Sequence, residues 1–264
     1  VTTKYIGSLT LALAALTFVD SASAQKKPSE KDRPQLILAD PFTLKPGSSN
    51  IVKLHGIKLD SITDVRCHDP KSTAKLRGKP TKSAPPDAKL LPLVGDSNVE
   101  IELILPKEVP GNELTLSVTG PDGDSDSIRL LVNDEKRMIE EKEPNNGFRY
   151  AQELVADAVI DGKIQSNQDV DVFCFDGQAG RRFRCEVISR RYGSPLDPII
   201  TLFDGAGNIV RASDESPRNA STSLSTVLPR DGTYYVVIQD AHDLGSALHR
   251  YRLQFQLDET KKPR

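Results

Sequence analysis

Residues able to do chemistry are thinly spread along this chain. Its four histidines, His55, His68, His242 and His249, are scattered rather than spaced as ligands. The H-E-x-x-H pattern, which sets two zinc-binding imidazoles on one helical face, does not occur, nor does G-x-S-x-G, which lifts a nucleophilic serine on a strained turn. Cys67-His68-Asp69 is the one tight run of ligand-type residues, and a single triplet falls short of the donor set a transition metal takes. A Ser-His-Asp relay draws its members from distant positions, and no spacing here singles one out. Pro121-Asp122-Gly123-Asp124-Ser125-Asp126-Ser127 alternates acids with small residues as calcium loops do. It lacks the glutamate at the twelfth position of an EF-hand, and a hairpin turn accounts for it. Arg181, Arg182, Arg184, Arg190 and Arg191 read as a solvated sheet face paired with Glu186, the alternative being a basic strip for an anionic polymer.

Bulk properties narrow the classes further. Lys and Arg number 35 against 37 Asp and Glu, a net charge of −2, so the basic excess of a nucleic-acid binder is missing. With no Trp and one Met, the chain also lacks the aromatic richness of many sugar-binding faces. Residues 1–24 read as a secretory leader: Lys4, an apolar run from Ile6 to Val19, then Ser21-Ala22-Ser23-Ala24 as a small-x-small cleavage pattern. That run is shorter than the roughly 20 residues that span a bilayer, so the mature chain is expected to begin at Gln25 without inserting in a membrane. The expected location is secreted, periplasmic or cell-surface.

Export invites disulfides, yet there are three cysteines, Cys67, Cys174 and Cys185. Strand parity speaks against a bond between the last two. In Asp171-Val172-Phe173-Cys174-Phe175 the thiol points away from the Phe pair, whereas Cys185 shares its face with Phe183 and Val187. A hairpin joining these strands would leave the sulfurs on opposite faces of one sheet, with Cys185 free and core-facing and Cys174 outward.

The elements that must position any site are strands. Residues 25–34 are charged and proline-bearing, a solvated tether. Between 35 and 133, short apolar alternations are punctuated by Gly, Pro and Asp: Val52, Leu54 and Gly56; Val99, Ile101, Leu103 and Leu105; Leu114, Leu116 and Val118. Asp69 to Leu90 is rich in Lys, Pro and Ser without periodicity and is expected to be a long exposed loop. A charged connector, 134–142, precedes a second alternating region, 143–258, ending in a strand with Tyr251, Leu253, Phe255 and Leu257 on one face. Residues 259–264 form a tail. The expectation is an all-β protein of two tandem β-sandwich domains, at 35–133 and 143–258.

Family resemblances sharpen this. Pro41-Phe42-Thr43-Leu44-Lys45-Pro46-Gly47, Val52 to Leu59, Leu103-Ile104-Leu105-Pro106 and Leu114 to Val118 resemble the immunoglobulin-like domains of the IPT/TIG type. In the second region the order is Glu143-Pro144-Asn145-Asn146, Gly162-Lys163-Ile164, Asp169-Val170-Asp171-Val172-Phe173-Cys174-Phe175, Ala179-Gly180, Leu196-Asp197-Pro198 and Leu228-Pro229-Arg230-Asp231-Gly232-Thr233-Tyr234. That succession resembles the bacterial pre-peptidase C-terminal domain, a jelly-roll-like sandwich, over about 143–257. The resemblance implies a non-catalytic module appended to secreted enzymes.

It also implies a Ca²⁺ site. Relatives among collagenase collagen-binding domains hold the ion between an acidic linker and the D-x-D strand, which here places Glu141, Glu143, Asn145, Asn146, Asp169 and Asp171. Hard oxygen donors suit calcium, and carboxylates gathered at one point repel unless a cation or hydrogen bonds compensate. Asn146 stands where an acid is usual, and so does Gln168, which implies weaker binding. The alternative is a capped turn at Asn145-Asn146, with Asp169 and Asp171 accepting backbone hydrogen bonds. By the same resemblance an exposed β-face would carry aromatic residues, for which Tyr192 and Tyr235 are candidates, but fold analogy does not transfer the choice of ligand. The functional expectation is a secreted non-catalytic binding or structural module, possible partners being an extracellular protein or a polysaccharide, against the alternative of an accessory or pro-region-like partner of a secreted hydrolase.

Overall fold

The structure, a computed structural model, describes residues 1–2, 32–83, 85, 90–133, 138–213 and 221–258. Nearly all of the expected leader, most of the expected tether, residues 134–137 of the expected connector and the stretch from 259 lie outside the described residues.

The chain is all-β and its strands form sandwiches. In the first half, β1 (Gln35–Asp40), β3 (Ser49–Ile57), β6 (Ser97–Ile104) and β5 (Thr73–Lys82) lie side by side in the order β1-β3-β6-β5. They face a sheet ordered β2-β9-β7-β4, made of β2 (Thr43–Leu44), β9 (Ile128–Val132), β7 (Glu113–Gly120) and β4 (Asp64–Cys67), with β8 (Gly123–Asp124) folded back on β7. The period-two alternation becomes packing between the sheets: Val52, Leu54, Val99, Ile101 and Leu103 meet Leu44, Leu114, Leu116, Val118 and Leu130. Each such side chain contributes roughly 1.5–3 kcal/mol when fully buried.

In the second half one sheet runs β10-β12-β19-β14-β17, from β10 (Met138–Glu140), β12 (Val159–Lys163), β19 (Arg250–Leu257), β14 (Arg182–Ile188) and β17 (Thr222–Val227). The other runs β11-β13-β18-β15-β16, from β11 (Gln152–Glu153), β13 (Val170–Gly177), β18 (Gly232–Asp240), β15 (Pro198–Asp204) and β16 (Ile209–Ser213). Phe175 and Phe183 stack between the sheets at 5.3 Å, and Phe255 lies 5.0 Å from Phe175.

Two expectations need correction. The stretch 69–90 is not one long loop, because Thr73–Lys82 forms β5, paired with β6 from Thr73↔Ile104 to Lys82↔Ser97. It is an edge strand, held by backbone hydrogen bonds on one side only. Lys75 and Arg77 stand opposite Glu102 and Glu100, and a register shift falls at Gly78, whose φ is 85°. Edges protect themselves from further pairing with lysine, proline and bulges, which removes the apolar alternation that marks an interior strand. The second correction concerns the cysteines. All three are free, Cys185 is buried and Cys174 faces away from the core, but β13 and β14 belong to different sheets. The turn at 178–181 crosses the sandwich instead of closing a hairpin, so the sulfurs lie on two sheets and not on two faces of one.

The two sandwiches touch along a compact seam. Phe42 stacks on Tyr192 at 5.3 Å, with Leu131 and Ile188 alongside. Arg191 Nη2 and Tyr192 Oη both donate to Glu113 Oε1, at 2.6 and 2.7 Å, and Arg250 pairs with Asp40. Gly193, at φ 85°, sits so close that a Cβ there would lie 2.2 Å from the Ile37 carbonyl oxygen.

Truncating the ring at the heart of the second sandwich tests this packing. Phe255→Ala should lower unfolding free energy by about 3–5 kcal/mol in urea titrations followed by circular dichroism, and a loss under ~1 kcal/mol would contradict the ring's central place.

Candidate metal centre

The acidic site grows from one strand's parity. Phe173 and Phe175 of β13 point into the core, and alternation carries the same face back through Asp171 to Asp169, just before the strand begins. Two carboxylates therefore continue an apolar stripe toward the open end of the sandwich. Asp171 is fully buried, and Asp169 is 7% exposed.

The linker comes to meet them. Val172 N–H donates to the Asn145 carbonyl at 3.0 Å, and so does Gly147 N–H at 2.9 Å, which pins the Glu143-Pro144-Asn145-Asn146 run beside β13. Asn145 is buried too. Glu143, Asp169 and Asp171 each present a carboxylate oxygen, all within 4.8 Å of one another. The Asn145 carboxamide reaches between them, one of its two terminal atoms 3.1 Å from Asp171 Oδ1 and 3.0 Å from Glu143 Oε2. Turned one way the amide nitrogen donates to both carboxylates; turned the other, its oxygen joins theirs around a common centre.

Behind this group lies Tyr251 of β19, from the opposite sheet. Its Oη is 2.7 Å from Glu141 Oε1 and 2.6 Å from Asp171 Oδ2. One phenolic proton serves only one of those contacts, so the second needs a proton on a carboxyl. The electrostatics say which carboxyl. Burial first, and then the Glu141 charge, push Asp171 up to about 9. Burial also raises Glu141, and the Tyr251 phenol is held well above its usual range. Without a cation, the extra proton sits on Asp171, whose carboxyl is hydrogen-bonded to both Tyr251 and Glu141. Among the described residues no Lys or Arg pairs with Glu141, Glu143, Asp169 or Asp171.

Of the six residues singled out by sequence, Glu143, Asn145, Asp169 and Asp171 come together. Glu141 stands one shell back, its Oε2 accepting from Lys163 N–H at 3.1 Å. Asn146 donates through Nδ2 to Asp169 Oδ1, and Asp169 Oδ2 accepts from Gln165 N–H at 2.7 Å. Gln168 is exposed, at φ 65°. Sequence reasoning missed Tyr251 and Gln165 as members of the site. Tyr251 gave a signal only as an inward strand position, while Gly162 is the companion that makes room: a Cβ there would lie 2.3 Å from Glu141 Oε1 and 2.6 Å from Tyr251 Oη.

The other clusters disperse. Cys67 packs against the first core while His68 Nε2 turns to Ser117 Oγ at 3.0 Å and Asp69 Oδ2 accepts from Ser72 Oγ at 2.6 Å. Tyr192 is not on an exposed face but 6% exposed in the seam, and Tyr235 lies under Phe148, whose ring stacks on it at 4.4 Å. Arg184 pairs with Asp258 at 3.0 Å and not with Glu186.

No family model matches the chain, and no curated protein does. Among solved structures it is similar to the pre-peptidase C-terminal domain of a collagenase from Bacillus anthracis, at 11% identity and TM-score 0.33, covering 45% of this chain and 100% of that one. A periplasmic inhibitor of g-type lysozyme from Aeromonas hydrophila gives 12% identity and TM-score 0.30 over 46% of this chain and 96% of its own. SGBP-B from a complex xyloglucan utilization locus in Bacteroides uniformis gives 9% and 0.24, over 86% and 73%.

The raised Asp171 carboxyl has a stability consequence. Between its ordinary value of 3.8 and about 9, the folded state keeps a proton the unfolded state has lost, so this contribution is full at low pH and disappears as pH rises through that window. In chelator, melting temperature should therefore fall from pH 5 to pH 8.5 more steeply for the parent than for Asp171→Asn, and parallel profiles would count against a protonated Asp171.

Proposed function

We propose that this chain is a non-catalytic binding or structural module of the extracytoplasmic space, its second sandwich clamped by calcium. The observation that carries the reading is the convergence of Glu143, Asp169 and Asp171 carboxylate oxygens, with the Asn145 carboxamide between them, where no basic side chain among the described residues neutralises them. An all-oxygen donor set suits a hard cation, and calcium accepts irregular shells completed by water where magnesium demands near-octahedral order. Bound there, the ion would supply the positive charge that lets Asp171 ionise. The chain's own part is then mechanical: the linker residues and the first residues of β13 are drawn to one point, fixing where the second sandwich begins. The leader-like residues 1–24 support an extracytoplasmic location, and an extracellular protein or polysaccharide is the partner class.

Calorimetric titration of the chelator-treated full chain with CaCl₂, run in two buffers of different ionisation enthalpy, tests the clamp. Binding should release about one proton, because ligation requires the Asp171 carboxylate, and should stabilise by about 2.7 kcal/mol at a hundredfold excess over Kd. Asp171→Asn should fold in chelator yet lose both effects, and Glu143→Gln should weaken binding. Flat traces at millimolar calcium would sink the proposal.

A further inference from the structure

The β10-β12-β19-β14-β17 sheet has a second face, turned away from its core, where strand registers align side chains into rows. Arg184 stands opposite Ser225 on β17 and opposite Gln256 on β19; Glu186 stands opposite Ser223 and Gln254. These two rows line a groove of about 220 Å³. The next row is closed. Ile188 packs into the seam with Phe42, Leu131 and Tyr192, and Arg252, 1% exposed, donates to both Asp161 carboxylate oxygens at 2.7 and 3.0 Å. Among the described residues, one sheet face is thus covered by the first sandwich at one end and left open and polar at the other.

The chemistry of the open rows is specific. Arg184 is already paired with Asp258 at 3.0 Å, and Glu186 accepts from Ser221. Their charges oppose each other, so the floor favours neither an anionic nor a cationic polymer. Ser223, Ser225, Gln254 and Gln256 make no side-chain hydrogen bond among the described residues, and each offers donors and acceptors together. An extended peptide recognised through its backbone would add along the free side of β17 and not lie over the face, and the upward-pointing side chains present no apolar socket for peptide side chains. A chain of hydroxyl groups, each both donor and acceptor, matches this floor.

We propose that the groove binds a neutral oligosaccharide across Ser225-Arg184-Gln256 and Ser223-Glu186-Gln254. The proposal rests on the binding-module reading above and names its ligand class and surface. With no aromatic floor, affinity comes from hydrogen bonds exchanged with water, and a Kd of about 1 mM is expected.

Amide chemical-shift mapping of the calcium-saturated full chain tests it, with cellohexaose, mannohexaose and xylohexaose as probes and hexagalacturonate as the anionic control, each to about 10 mM. At least one neutral hexamer should shift amides at 184–186, 223–225 and 254–256. The double variant Gln254→Ala/Gln256→Ala should weaken that binding about tenfold or more, while its melting temperature still rises with calcium as the parent's does. No shift with any neutral hexamer, shifts confined to other surfaces, or a response to hexagalacturonate alone would overturn the groove. A chain that binds sugar here but ignores calcium would count against the clamp and leave the groove standing.

Discussion

A carboxyl group buried where water cannot follow must be protonated, paired or coordinated, and Asp171 sets that problem for the whole second sandwich. It sits on the core-facing side of β13, in line with Phe173 and Phe175. The surrounding chain answers from three directions: Tyr251 from the opposite sheet, Glu141 and Glu143 from the linker, and Asn145 from the turn between. Because those groups belong to separate elements, satisfying one carboxyl ties together the start of the domain, its first long strand and its last strand. Gly162 belongs to the same solution, since any side chain there would occupy the space of the Glu141 and Tyr251 oxygens.

That arrangement also explains why an amide, and not another acid, stands at the centre. A fourth carboxylate, wedged between Asp171 and Glu143, would add a charge that the described residues alone do not compensate. A carboxamide presents nitrogen or oxygen by a rotation of half a turn, so the same side chain serves the protonated site and a cation-bound one. The asymmetry between Asp171, fully buried, and Glu143, exposed, gives the centre one open side, toward the surface depression lined by Pro144, Asn146, Gln165 and Ser166.

Across the sandwich, one outward sheet face meets two fates. At Ile188 and Arg252 it is covered by the Phe42-Leu131-Tyr192 seam and by the ion pair of a buried Arg252 with a partly exposed Asp161; two residues further along the strand it carries Glu186 and then Arg184 in the open. Alternation makes all of these outward positions, but only contact with another sandwich decides which are dry.

The sequence by itself determined the class of fold, and the acidic residues were named only through a family resemblance. Period-two alternation around Val52, Leu116 and Phe255 fixes strands whose faces can be assigned without coordinates, and the Asp169-to-Phe175 parity places the acids and the rings on one side. Those are local consequences of backbone geometry. Edge strand β5 escaped notice because an edge needs only one row of hydrogen bonds and is protected by the same Lys, Pro and Gly that mark loops. The tertiary structure alone decided which sheet each strand joins, so Cys174 and Cys185 fell on facing sheets where local reading saw a hairpin. It alone brought Tyr251 to Asp171 across 80 residues, buried Tyr192 in a seam, and lined Ser225, Arg184 and Gln256 into one row. Such contacts are set by register between distant strands, a property of pairing that no single strand's pattern contains.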